Sequence, residues 1–235
     1  MTPLVSLALA TLAFVGLHFL LSHPLRAPLV RATGEAPFLG LYSAISFATL
    51  GWMIVAYRAG DDANPLWIAP PGLWPVASGV MLIACILLVG SLRRNPAFPR
   101  PGAGEVTIGA PRGVFAITRH PMNSAFVLWA LVHITISGSP RNLIVALGIL
   151  ILAFFGSIGQ DARKRRQLGA AWRTWEASTS ALPFAARAAG RASWHSAWPG
   201  WTALVGGALL WAVATSWHAP IVSPLGDLVR RLAGL

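Results

Sequence analysis

The chain has 235 residues, of which 55% are apolar and only 11% charged, against about 25% charged in an ordinary soluble domain. A water-soluble globule is excluded, and the charge-free stretches 1–25, 36–57, 63–92, 120–140, 142–160 and 192–226 each hold the roughly 20 residues that cross a bilayer core. The net charge of +11 lies between these stretches and not on a separable basic domain, so it fits anionic lipid headgroups and cytoplasmic loops and excludes a nucleic-acid partner.

An all-α fold follows: a polytopic membrane helix bundle with about six transmembrane helices and additional interfacial helices. The spans are expected at 3–21, 38–57, 73–92, 121–137, 141–159 and 201–217. The first span is not read as a cleavable signal, because its first charge is Arg26 and its apolar run is too long for a signal h-region. Loops one, three and five carry fourteen of the eighteen Lys and Arg residues, which by the positive-inside rule puts them in the cytoplasm and both termini on the other side. Loop three, about 93–119, is rich in Pro and Gly turn chemistry. Loop five opens with Asp161-Ala-Arg-Lys-Arg-Arg and continues through Trp172 and Trp175. Its first half is expected to lie at the headgroup boundary as a helix anchored by the tryptophans, and Leu225, Leu228, Val229 and Leu232 suggest another such helix in the tail 221–235.

Few residues within the spans carry chemistry. Cys85 stands alone, which excludes a disulfide framework and a thiolate zinc site. All seven acids fall in loops or the tail, so proton-wire carboxylates and an ion-coupled transporter are not expected, and no phosphate loop, HExxH or Ser-His-Asp set is present. The histidines remain: His18 in the first span, His120 at the entry to the fourth, His133 inside the fourth, and His23, His195 and His218 near interfaces. A buried imidazole either bonds a neighbouring carbonyl or hydroxyl, or ligates a metal such as haem iron. At 100° per residue, His133 shares a stripe with Phe126, Trp129, Ala130 and Ser137, and His18 one with Thr11, Phe14, Val15 and Ser22. These stripes read as core packing or as the walls of a flat cofactor site. His120 and His133 differ by about 220° and about 20 Å along one helix, so they do not bind the same iron. Arg119-His120-Pro121 opens that helix, where a capping role and an anion site for a propionate, phosphate or carboxylate are both open readings.

The residues Gly16-Leu17-His18, Leu21-Ser22, Arg26, Gly34-Glu35, Tyr42-Ser43, Arg119-His120-Pro121-Met122, Trp129 to His133 and Asp161 to Arg165 resemble the NnrU family of bacterial membrane proteins. The resemblance covers about 1–185, which divides the chain into an NnrU-like membrane core, 1–185, and a C-terminal extension, 186–235, with the sixth span and the amphipathic tail. That family is similar to the 15-cis-zeta-carotene isomerases, membrane enzymes that hold haem b. The resemblance implies a bacterial inner-membrane protein with haem b, axial ligands at His18 and His133, and Arg119, His120, Ser22, Phe126, Trp129 and Ala130 around the cofactor. It implies redox or isomerase-like activity on an apolar or small-molecule substrate, linked to nitrogen-oxide metabolism. The isomerases have Cys where this chain has Ala130, so a thiolate exchange of ligands is not expected. Depth counted from the span ends favours pairing His18 with His120 instead, and that alternative stays open.

A more distant similarity is to isoprenylcysteine and phospholipid methyltransferases, through Arg119-His120-Pro121 and Gly169-Ala-Ala-Trp172-Arg-Thr-Trp175. It implies S-adenosylmethionine lined by Arg119, His120 and Trp172. A third reading is a non-enzymatic assembly factor for a denitrification complex.

Overall fold

The computed structural model describes residues 1–61, 64–98 and 108–216. His218, Glu105, Asp62, Asp227 and the expected tail helix lie outside the described residues. Nine helices appear in the described part: α1 Pro3–Ser22, α2 Arg26–Thr33, α3 Glu35–Ala59, α4 Trp74–Ser91, α5 Val114–Ile117, α6 Pro121–Ile136, α7 Pro140–Ser178, α8 Ala185–Ala188 and α9 Trp201–Ser216. The all-helical expectation holds. Five helical segments, those containing α1, α3, α4, α7 and α9, are long and apolar enough to cross a membrane, and α6 is a shorter apolar helix of 16 residues. The chain is a multi-pass membrane protein.

The starts follow local chemistry. Thr2 caps α1 by accepting from the Val5 amide at 3.4 Å, with Pro3 in the first turn, and prolines likewise open α4, α6 and α7, where a missing N–H costs no helical bond. α6 stops where Ser137 pairs with Ile68 in an isolated antiparallel bridge, and the Leu66 and Gly138 backbones bond across it.

The extensive helix contacts order the bundle as α3, α1, α7, α6, α4, α9. Leu7 and Ala10 of α1 meet Met53 and Ala56 of α3 in one core cluster. α1 meets α7 at Gly148, where a Cβ would collide with Thr11, so the missing side chain sets how closely the two backbones approach. A second cluster joins Ala84 and Leu87 of α4, Phe115 of α5, Ala125 of α6, Trp172 and Trp175 of α7, and Ala203 of α9.

Loop five departs from expectation. Its basic half is not a separate helix on the headgroups; it continues the fifth span as the 39-residue α7. Thirty residues from Pro140 to Gly169 rise about 45 Å, which exceeds a core of about 30 Å, so the charged turns project beyond the apolar band. At Gly169 the backbone takes φ +52° and ψ −119°, outside the helical region and accessible to a residue without Cβ. The chain turns there, and Trp172, with no exposed surface, and Trp175 sit in the protein core instead of anchoring to lipid. Phe115 packs on Trp175, with the ring centroids 6.2 Å apart.

Candidate functional site

Three neighbourhoods contain the residues singled out from the sequence. The first is a cavity of about 440 Å³ between α4, α6 and α9. Its walls include Met81, Leu88, Phe126, Trp129, Val132 and Trp211, with His133, Ser137, Asn142 and Tyr57 contributing polar groups. Three expected residues, Phe126, Trp129 and His133, therefore face one space. Ala130 does not: it has no exposed surface and is absent from the cavity lining. The His133 ring stacks on Trp129 at 4.1 Å between centroids, and its Nδ1 donates to the Trp129 carbonyl at 2.8 Å. With Nδ1 as the N–H, Nε2 is the basic nitrogen. Asn142 braces the end of the helix by donating to the carbonyls of His133 at 2.8 Å and Ser137 at 2.6 Å.

His18 occupies the second neighbourhood, between α1 and α3. Its Nδ1 donates to the Phe14 carbonyl at 2.7 Å, and Nε2 lies 3.4 Å from Ser46 Oγ. Tyr42 meets the ring edge-on at 5.4 Å and receives a hydrogen bond from Ser22 at 3.4 Å.

The third is a polar cluster at the entry to α6. Arg119 donates to both oxygens of Asp161, at 3.1 Å and 3.0 Å from Nε and 2.7 Å from Nη2, and to Thr179 at 3.3 Å. His120, 4% exposed, sets Nδ1 2.9 Å from Gln160 Oε1 and Nε2 3.0 Å from Asp161 Oδ1. Asp161 lies past the apolar stretch of α7. Burial pushes its carboxyl up, but the contacts from His120 and Arg119 outweigh that and hold it below the usual carboxylate range. The anion at this entry is thus the chain's own carboxylate, supplied from α7. Charge pattern alone places Asp161 in loop five, yet it falls one residue after the charge-free stretch 142–160, close enough for a continuing helix to carry it to Arg119.

His18 and His133 face different neighbours: His18 meets Ser46 and Tyr42 of α3, His133 faces the cavity between α4, α6 and α9, and α7 lies between α1 and α6. His120 is on the α6 side as well, with Nδ1 bonded to Gln160 and Nε2 3.0 Å from Asp161 Oδ1. The methyltransferase-like set is also engaged internally: Trp172 is in the core and Arg119 on Asp161. Among the described residues no group of three His, Cys, Asp or Glu side chains could hold a metal ion.

A bundle of apolar helices around an apolar cavity defines an integral membrane protein. The chain belongs to the NnrU protein family, whose model matches residues 6–224 and so extends through α9. Among curated proteins it is similar to the chloroplastic 15-cis-zeta-carotene isomerases of Zea mays, 33% identical over 79 residues, and Arabidopsis thaliana, 32% identical over 79 residues. Each match covers 34% of this chain and 22% of the relative, so the chain matches about a fifth of the length of those proteins. No solved structure matches the chain.

Proposed function

We propose that this chain is an isomerase-like membrane protein that takes an elongated apolar molecule, of the polyene class named for its relatives, into the cavity between α4, α6 and α9. The cavity carries this reading. Its volume of about 440 Å³ falls within the usual range for small-molecule sites, and apolar walls with few polar groups suit a hydrocarbon chain. Burial there removes water from the ligand, while His133 and Asn142 supply the polar contacts at one end. The membrane is the bacterial inner membrane in this reading, with the loop after α1 and the basic projecting turns of α7 toward the cytoplasm, as the charge asymmetry of the loops supports.

The test is co-purification from a polyene-producing host. The parent protein is expected to retain coloured lipid, and Ala125→Leu, which fills the cavity from a position 3% exposed, to retain much less. Equal retention by a folded Ala125→Leu protein would overturn the proposal.

A specific observation favours a second component at the same site. The hydrogen bond from His133 Nδ1 to the Trp129 carbonyl is the kind of brace that orients a ligating imidazole. His133 would hold haem b, with Phe126 and Trp129 beside the macrocycle, and His18, which faces Ser46 and Tyr42 of α3, would not share it. When bound, haem b would supply one-electron chemistry. The chain's own part is to fix the imidazole, exclude water and keep the apolar partner beside it. A visible spectrum of protein expressed with ample haem decides this: a Soret band lost in His133→Ala and kept in His18→Ala supports it, and no band in the parent removes it.

A further inference from the structure

A cavity of about 500 Å³ opens on the other side of α7, where the ends of α1 and α2 meet α3 and the projecting turns of α7. Its lining includes Arg26, Arg163 and Lys164 with Gln167 and Tyr42, and the apolar Leu21, Phe38 and Leu39. The acid among its lining residues, Glu35, already pairs with Arg26 at 2.9 Å. Arg163 donates to the Ser22 carbonyl at 3.4 Å. Its charged neighbours are Arg26 and Arg166, and burial together with those two lowers its pKa. Close by, burial and then Arg163 and Arg166 hold the His23 imidazole below its ordinary value. Like charges gathered in a half-buried recess raise each other's energy, and an anion entering it relieves that repulsion. Guanidinium groups match the geometry of phosphate oxygens.

We infer that this cavity binds a phosphate-bearing amphiphile, its head on Arg163, Arg26 and Lys164 and its chain along Leu21, Phe38 and Leu39. The site is separate from the α4–α6–α9 cavity and does not depend on what that cavity holds. Its position fits the depth of a phosphate: α1 ends at Ser22, and the charge-free stretch of α7 ends at residue 160, so the arginines stand at the edge of the apolar band.

The test uses the full chain incubated with vesicles of equal parts phosphatidylcholine and phosphatidylglycerol, then native mass spectrometry of the retained lipid. The parent is expected to enrich phosphatidylglycerol, and Arg163→Gln and Arg26→Gln to reduce that enrichment about tenfold, as loss of a charge-assisted contact implies. Arg173→Gln, which removes one charge from an exposed position on α7, is expected to leave it unchanged. If Arg163→Gln does not fold, Arg26→Gln decides. Inorganic pyrophosphate separates the sources of the phosphate: displacement of the lipid means that the oxyanion alone is recognised, and failure to displace it means that the chain is held as well. The proposal is overturned if the parent shows no preference for phosphatidylglycerol and binds no pyrophosphate, or if Arg173→Gln loses as much enrichment as the cavity variants.

Discussion

Replacing Asp161 by Asn keeps the size of the side chain and removes its charge. In the folded protein the carboxylate is 10% exposed, with Arg119 at 2.7 Å and His120 Nε2 at 3.0 Å. The Asp161→Asn change would leave the Arg119 guanidinium, 11% exposed, without its counter-charge, and breaking one side of a buried pair costs about 3–5 kcal/mol. Because the cluster sits on the projecting turns of α7 outside the apolar band, water relaxes part of that penalty, and we expect about 3 kcal/mol. At about 2–4 °C per kcal/mol for a chain of this size, the melting temperature in detergent should fall by about 6–12 °C. Combining Asp161→Leu with Arg119→Met removes both charges and should recover more than half of the loss, because no buried charge remains unpaired. The pH dependence has a defined direction. The folded carboxyl titrates below its unfolded value, so its stabilisation is present above the ordinary carboxylate range and is lost as the pH falls through the lowered folded value. The parent's advantage over Asp161→Asn should therefore shrink under acid conditions and not under mildly basic ones. A melting temperature within about 1 °C of the parent at neutral pH, where about 0.5 kcal/mol is the ordinary scatter of surface changes, would refute the cluster as a clamp.

Gly148→Val places side-chain atoms against Thr11 and should destabilise the α1–α7 contact by about 1–3 kcal/mol, read as a lower melting temperature. Trp172→Ala empties a fully buried position and should cost about 3–5 kcal/mol, whereas a tryptophan anchored in lipid headgroups would lose far less; the thermal melt separates the two. Gly169→Ala forces a Cβ into φ +52°, ψ −119° and should cost about 1–3 kcal/mol, with protease cleavage near the turn rising as the second half of α7 loosens.

The spans were legible because each apolar run is bounded by charge or proline: the expected 3–21 and 121–137 correspond to Pro3–Ser22 and Pro121–Ile136. The stripe of Phe126, Trp129 and His133 was equally legible from helical spacing, and those three residues do face one cavity. What spacing could not give is which neighbour a stripe faces. His18 and His133 lie on comparable stripes, yet one looks toward α3 and the other toward α4 and α9, and only the order of helices in the bundle distinguishes them. Loop five failed for a different reason. Basic residues beside tryptophans match an interfacial helix in composition, but a helix already propagating from the fifth span adds one backbone bond per residue, so Asp161 to Leu168 continue it without a fresh nucleation cost.

That continuation organises two neighbouring sites at one end of the bundle. Had α7 stopped at the membrane surface, Asp161 would be a solvated loop acid and Arg119 a free cation at the start of α6. Because it runs on, the projecting turns deliver Asp161 and Gln160 to Arg119 and His120, while Arg163, about 160° from Asp161 around the helix, lines the cavity on the side of α1 and α3, whose lining Gln160 and Lys164 also reach. The two-residue step from Asp161 to Arg163 thus separates an internally neutralised carboxylate from a recess in which cations outnumber acids. Asp161 is committed to one side, and Arg163 is left on the other, where a phosphate can reach it. Moving the acid by one residue, with Asp161→Ala and Ala162→Asp together, should therefore weaken the clamp without restoring it from the new position, since residue 162 points about 100° away from Arg119; a parental melting temperature in that double variant would show that the helix does not hold this register.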